Sequence, residues 1–274
     1  MKFKLAAFAD EAGSKLETQI AAMVKNGIGY LEIRGVDGEN IADISKEKAY
    51  EIRKKLEGSN LAVWSVGSPF GKIGITEDFA PHLEKFKRNL EIAAILGTNH
   101  MRIFSFYVPQ ENPEACADDV MRRLEQFALA AKNSGIVLCH ENEKGIYGDI
   151  AVRCAEIHKN FPEIKAVFDP ANFIQCGQDT KDAWALLSPY IEYMHIKDAL
   201  ADGSVVPAGK GTGNLPFLLG QYSGTMLTLE PHLSVFPGFE KLEQGKEAPE
   251  KKYCYASSEE AFDAAVTALK ELLS

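Results

Sequence analysis

Eight short apolar runs, each followed by an amphipathic stretch of helical period, leave this chain few ways to fold. The runs fall near 3–9, 29–35, 61–66, 100–106, 135–141, 164–169, 191–196 and 225–230. The helical stretches fall near 14–26, 46–57, 78–97, 113–133, 150–160, 180–188, 214–222 and 258–273. Strands that alternate with helices build βαβ units, and βαβ units build a parallel sheet. Eight such strands predict closure, so the fold expected is α/β, a (β/α)8 TIM barrel. Barrels of this kind run to about 250 residues as one unit, and the 274 residues are therefore expected to form a single domain over 1–274. The first helical stretch, KLETQIAAMVKNG, places apolar residues at i, i+3 and i+4 and meets Gly27, a residue suited to end it.

Composition excludes several classes. Hydrophobic residues at 46% with 25% charged residues suit a globular protein, and no apolar run approaches the length of a membrane span. A net charge of −9 lacks the basic footprint that phosphate-backbone binding needs, so nucleic acid is a poor partner. Cys116, Cys139, Cys154, Cys176 and Cys254 are odd in number and form no CxxC pair. That pattern argues against both a disulfide framework and a thiolate zinc site, and points to a cytoplasmic protein. The opening MKFKLAAFADEAG meets Asp10 and Glu11 before an apolar leader develops, and reads as the first strand. The stretch 233–257, polar and rich in Gly and Pro, follows the eighth strand; a loop over the barrel mouth and a surface excursion are both compatible with it.

Four metal-capable residues stand at the C-terminal ends of successive strands: Glu141 in IVLCHEN, Asp169 in AVFDPAN, His195 in IEYMHIKD and Glu230 in TMLTLEP. The C-terminal ends of barrel strands meet around one axis, so residues far apart in sequence converge there. Each has an ordinary reading by itself: a glutamate at a strand end is usually solvated, Asp-Pro starts turns, and a lone histidine caps or packs. Together they describe one oxygen-rich site, which suits Mn²⁺, Mg²⁺ or Co²⁺ better than a thiolate-loving ion, with Zn²⁺ also compatible. Strand alternation puts Val137, Cys139 and Glu141 on one face, and Tyr193, His195 and Lys197 on another. His232 follows Glu230 at the same parity. Arg34 and Arg102 stand at strand ends, where they suit a phosphate or carboxylate and equally an ion pair. Phe8, Glu32, Trp64, Phe104 and Phe106 are candidates to line the pocket, and the barrel core is the alternative for most of them.

Taken in order, HENEKGIYGD at 140–149, FDPAN at 168–172, HIKD at 195–198, GKGTGNLPF at 209–217 and LEPH at 229–232, with FADEAG and YLEIRG before them, carry a resemblance. The chain resembles the xylose isomerase-like TIM barrels, which include sugar isomerases, ketose 3-epimerases, inosose dehydratases and apurinic-site endonucleases. The resemblance covers nearly the whole chain and is specific for the superfamily more than for a substrate. It implies that Glu141, Asp169, His195 and Glu230 hold one divalent metal and that Glu141 and Glu230 form the acid/base pair, neither expected in the core. It implies a small sugar or polyol substrate, and Arg34, Arg102, Asn172, Lys197 and His232, from their own places near the strand ends, are the residues expected to contact it.

The chain departs from that pattern at two points. Asn172 stands where the ketose epimerases carry a histidine, and HIKD supplies Lys197 where they have an arginine-bearing loop. HIKD looks closer to sugar-phosphate isomerases and dehydratases. The expected activity is therefore isomerisation or epimerisation of a monosaccharide or its phosphate, with dehydration through the same enolate as the alternative. The endonuclease branch uses several additional histidines, and this chain has six histidines in all. A non-catalytic sugar binder would have no chemical need for a metal with two acid/base carboxylates. The sequence is compatible with a homo-oligomer and does not fix one.

Overall fold

The computed structural model describes residues 2–233 and 253–274. Eight parallel strands close into a barrel: β1 Lys4–Ala7, β2 Tyr30–Ile33, β3 Ala62–Val66, β4 His100–Ile103, β5 Val137–Glu141, β6 Lys165–Phe168, β7 Ile191–Ile196 and β8 Met226–Leu229. Every neighbour in the ring is a neighbour in sequence, and β1 closes on β8 through Lys4 opposite Met226 and Ala7 opposite Leu229. The expected barrel is the one observed. Of the loop expected over 233–257, residues 234–252 lie outside the described residues.

Nine helices among the described residues wrap the barrel: α1 Leu16–Lys25, α2 Lys46–Gly58, α3 Phe79–Leu96, α4 Ala117–Ala131, α5 Ala151–Asn160, α6 Pro170–Gln175, α7 Thr180–Leu187, α8 Leu215–Gln221 and α9 Ser258–Leu272. Their ends follow local chemistry. Ser45, Asp78 and Ser257 cap α2, α3 and α9 through side-chain oxygens that accept backbone N–H groups. At the end of α1, Gly27 takes φ +62° while the Gly27 and Ile28 N–H groups donate to the carbonyls of Val24 and Met23. Two such bonds closing a helix around a left-handed residue explain why Gly27 is needed there. Helix α6 escaped sequence reading because six residues give no clear period. No described helix is long and apolar enough to cross a membrane.

The apolar side chains divide into two layers. The larger cluster lies between strands and helices, with Ile33, Met101, Phe168, Met194 and Leu229 among its fully covered members. The smaller fills the barrel interior with Ala6, Cys139, Val167, Tyr193 and Met226. Two strands carry register shifts. Trp64 is an extra residue in β3 against β2, so that Leu31 faces Val63 while Glu32 faces Ser65. Glu192 is likewise extra in β7 against β6, where Ala166 faces Ile191 and Val167 faces Tyr193. An extra residue bends and re-aims the strand that carries it.

Two histidines packed outside the barrel set an acid limit on stability. Burial, reinforced by nearby lysine and arginine charge, pushes His82 down to about 4, and burial pushes His158 to about 4 as well, against an ordinary value of 6.5. Between those values the unfolded chain takes up protons that the folded chain refuses, so stability is complete above pH 6.5 and is lost as pH falls towards 4. Thermal unfolding from pH 7 to pH 5 should show a falling midpoint, and His158→Phe should flatten that fall.

Candidate active site

The C-terminal ends of the strands deliver the four expected residues to one place. Glu141 is the last residue of β5, Asp169 follows β6, His195 is the penultimate residue of β7, and Glu230 follows β8. One ligand-capable atom from each lies within 4.8 Å of the others, and all four side chains are buried. His195 Nδ1 stands 3.0 Å from Glu141 Oε1, 3.3 Å from Glu230 Oε2 and 3.8 Å from Asp169 Oδ2. Both glutamates are covered, against the expectation that neither sits in the core: Glu141 is 1% exposed and Glu230 3%. The barrel mouth is deep enough to enclose the ends of its own strands.

Local folding explains how each side chain is held. Asn142 forms a closed pair with the backbone of Asp169, donating to its carbonyl and accepting its N–H, each at 2.9 Å. Asp169 Oδ1 accepts the Asn172 N–H at 2.9 Å and so caps α6, which leaves Oδ2 turned to the cluster. The Asn172 amide donates to the Asn142 carbonyl at 2.9 Å and to Glu141 Oε1 at 3.3 Å. Asn172 therefore braces the site from the end of β6.

Buried acids at this density require buried bases. Lys197 Nζ lies 2.8 Å from Asp169 Oδ2 and 3.0 Å from Glu230 Oε2. Arg102 Nη1 is 3.0 Å from Glu141 Oε2, and Arg34 Nη1 is 3.2 Å from Glu230 Oε1 while its other nitrogens grip Asp10. The two arginines thus make the ion pairs that sequence offered as the alternative to anion binding. Both guanidiniums lie over the Phe8 ring, at 4.5 Å and 5.0 Å from its centre, and the ring meets His195 edge-on at 5.3 Å. Burial raises the cost of charge on Glu230, but Lys197, His232 and His195 outweigh it and hold this carboxyl well below its usual range. Burial likewise opposes charge on His195, and the carboxylates of Glu141, Glu32 and Glu230 outweigh it and hold the imidazolium well above the ordinary histidine range. Asp169 and Glu230 raise Lys197 in the same way, so it remains an ammonium.

His232 takes a left-handed backbone, φ +47°, and its N–H donates to Glu11 Oε2 at 2.7 Å; its Nε2 stands 3.4 Å from Glu230 Oε1. The cavity above the cluster is lined by Arg102, Asn172, Lys197, Glu230 and His232, together with Lys72 and Glu143. Lys72 and Glu143 form a 2.8 Å ion pair at the rim, which sequence reading missed because neither residue ends a strand. Trp64 does not line this cavity; it stacks on His100 at 4.1 Å, near the strand starts. Phe106 packs against Phe79 and Phe127 outside the barrel, while Phe104 lies 4.9 Å from Arg102 and 4.3 Å from Lys72.

Asp198 is the other residue missed. Its carboxylate accepts the N–H groups of Ala199, Gly209, Gly211 and Gly213 at 2.9–3.0 Å, tying the glycine-rich loop to the end of β7. A Cβ at Gly211 would fall 2.3 Å from Asp198 Oδ1, and one at Gly213 2.6 Å, so only glycine lets the loop wrap so tightly. The alternating glycines of GKGTG were the available signal.

Comparisons with known proteins agree with this architecture. A family model described as xylose isomerase-like TIM barrel matches residues 20–232. No curated protein matches the sequence. Among solved structures, IolI protein with a bound zinc atom superposes with a TM-score of 0.76 at 17% identity, covering 99% of this chain and 98% of that one. The probable 3-DHS dehydratase AsbF of Bacillus anthracis gives 0.72 at 16% identity, covering 98% and 99%. D-psicose 3-epimerase in the presence of D-fructose gives 0.72 at 16% identity, covering 98% of each chain. At these identities the likeness is one of fold.

Lys197 bridges two carboxylates of the cluster, Asp169 and Glu230. Lys197→Met keeps the aliphatic stem and strands Asp169 and Glu230 without their shared ammonium, and breaking a buried pair from one side costs about 3–5 kcal/mol. Urea unfolding in the presence of EDTA should show a loss of that order.

Proposed function

Because the chain belongs to the xylose isomerase-like TIM barrel family, we propose that it is a divalent-metal-dependent isomerase or epimerase acting on a monosaccharide or sugar phosphate. The observation that carries the reading is the convergence of Glu141, Asp169, His195 and Glu230 within 4.8 Å. Three carboxylates and one imidazole form a hard donor set that fits Mn²⁺, Mg²⁺, Co²⁺ or Zn²⁺. The ammonium of Lys197 between two of the carboxylates indicates how strongly the group calls for positive charge. Structures of similar fold described with zinc and with magnesium support a metal, and one described with D-fructose supports a sugar. The composition supports a cytoplasmic setting.

In this reading a divalent ion held by Glu141, Asp169, His195 and Glu230 would polarise a substrate carbonyl and acidify the neighbouring C–H bond. The chain's own groups do the rest. Glu230 lines the cavity from the end of β8 and Glu141 stands at the end of β5 within the same metal-capable cluster, so one would take a proton from the substrate while the other returns one. A positioned acid or base contributes about 10²–10⁴-fold. Lys197, fixed as an ammonium, steadies negative charge on a substrate oxygen and does not itself give up a proton. Arg102 and His232 line the cavity and can orient hydroxyls, Asn172 braces Glu141 and Asn142 beside it through its amide, and Arg34 holds Glu230 in place. A substrate with a leaving hydroxyl beside the reacting carbon would turn the same proton abstraction into dehydration, and the fold likeness to the probable 3-DHS dehydratase favours keeping that second reading.

DNA repair fits poorly. Of the six histidines only His195 and His232 approach the cluster; His100 pairs with Glu192, His140 with Ser105 and His158 with the Ile164 carbonyl, and His82 lies in α3. Incubation with abasic duplex DNA and Mn²⁺ or Zn²⁺ should leave the strand intact; metal-dependent incision would overturn the sugar reading.

Proton transfer is read directly by isotope. Screened polyhydroxy ketones that turn over in deuterated water should gain solvent deuterium at the reacting carbon, whereas turnover without it would indicate a hydride shift. Glu141→Gln and Glu230→Gln should each lose about 10²–10⁴-fold in kcat, and full activity in either would remove the acid/base assignment. EDTA should abolish turnover and Mn²⁺ restore it.

A further inference from the structure

The two nitrogens of the His195 ring face opposite ways. Nδ1 points into the carboxylate cluster, while Nε2 stands 3.2 Å from Glu32 Oε2. Glu32 is fully buried in β2, and its other oxygen accepts the Tyr193 hydroxyl at 2.7 Å. The Tyr193 oxygen in turn lies 3.4 Å from Ser65 Oγ. Sequence reading offered Glu32 as a pocket-lining residue, but it lies across the imidazole from the ligand-capable atoms and does not line the cavity.

A buried carboxylate without contact to ligand or solvent is costly to keep, and both partners in this chain of bonds sit where the barrel departs from regular register. Glu32 pairs with Ser65 just beyond the extra residue Trp64, and Tyr193 follows the extra residue Glu192. Both shifts thus fall beside the residues that meet at the Glu32 carboxylate.

We propose that Glu32, anchored by Tyr193, is a positioning residue that keeps a proton on Nε2 of His195, so that Nδ1 is the nitrogen that gives up its proton to solvent when a metal takes its place and presents its lone pair. A carboxylate that accepts the distal N–H of an imidazole fixes the tautomer, pins the ring plane and raises the basicity of the ligating nitrogen. Glu32 touches no reacting atom, so its action passes entirely through His195. The inference rests on the metal reading above, and the test separates the two.

Mn²⁺ binding to the resting protein, measured by calorimetry without substrate, gives the readout. Glu32→Gln should weaken Mn²⁺ by about 10- to 100-fold, with Tyr193→Phe giving a smaller loss in the same direction. In a His195→Ala background the Glu32→Gln change should alter the remaining affinity by less than about 2-fold, since the ring through which it acts is gone. Thermal unfolding of the metal-free variants controls for folding, and Tyr193→Phe decides the matter if Glu32→Gln does not fold. An equal loss with and without His195, or no loss in the His195-containing protein, would overturn the positioning role and leave the metal reading intact. Failure of the unaltered protein to bind Mn²⁺ would overturn both.

Discussion

Charge balance at the mouth of the barrel governs the rest of the molecule. Glu32, Glu141, Asp169 and Glu230 are all buried, and carboxylates removed from water are tolerable only when cations or hydrogen-bond donors surround them. Lys197, Arg102 and Arg34 supply the cations, and each comes from a different strand end, β7, β4 and β2. The network therefore spans the barrel and cannot be assembled from any one βα unit. The same arrangement keeps Lys197 an ammonium, since the acids it faces outweigh its burial.

The barrel turns this balance into direction. Period-two alternation sends Tyr193, His195 and Lys197 to the inside in ascending layers, so one strand supplies an anchor, an imidazole and an ammonium. The register shifts in β3 and β7 then adjust the lower layer, where Glu32 and Tyr193 meet. Above, Asp198 gathers four backbone N–H groups and draws the glycine-rich loop against the end of the same strand.

Much of this was legible in the sequence. The alternation of apolar runs and helical periods is a consequence of burying each strand on both faces, and it carried the barrel and the positions of Glu141, Asp169, His195 and Glu230. What stayed hidden depends on pairings between distant residues. Arg34 and Arg102 read equally as anion binders or ion pairs until their partners were placed. Glu32 and Trp64 look alike as residues near strand ends, and only the register of β2 against β3 sends one beneath His195 and the other onto His100. Asp198 shows little in its own neighbourhood, because three of its four donors come from a glycine-rich loop more than ten residues on.

Asp169 divides its two oxygens between tasks: Oδ1 caps α6 and Oδ2 faces Lys197 and the cluster. One side chain therefore answers to two selective pressures, the start of a helix and the chemistry of a cavity. Substitutions here are inherently composite, since an amide can still cap the helix but turns a donor towards the ammonium, and a longer acid can reach the cluster only by letting the cap go. The phenotype of any change at this position is the sum of a folding defect and a chemical one, and separating them requires a residue that keeps one oxygen in place.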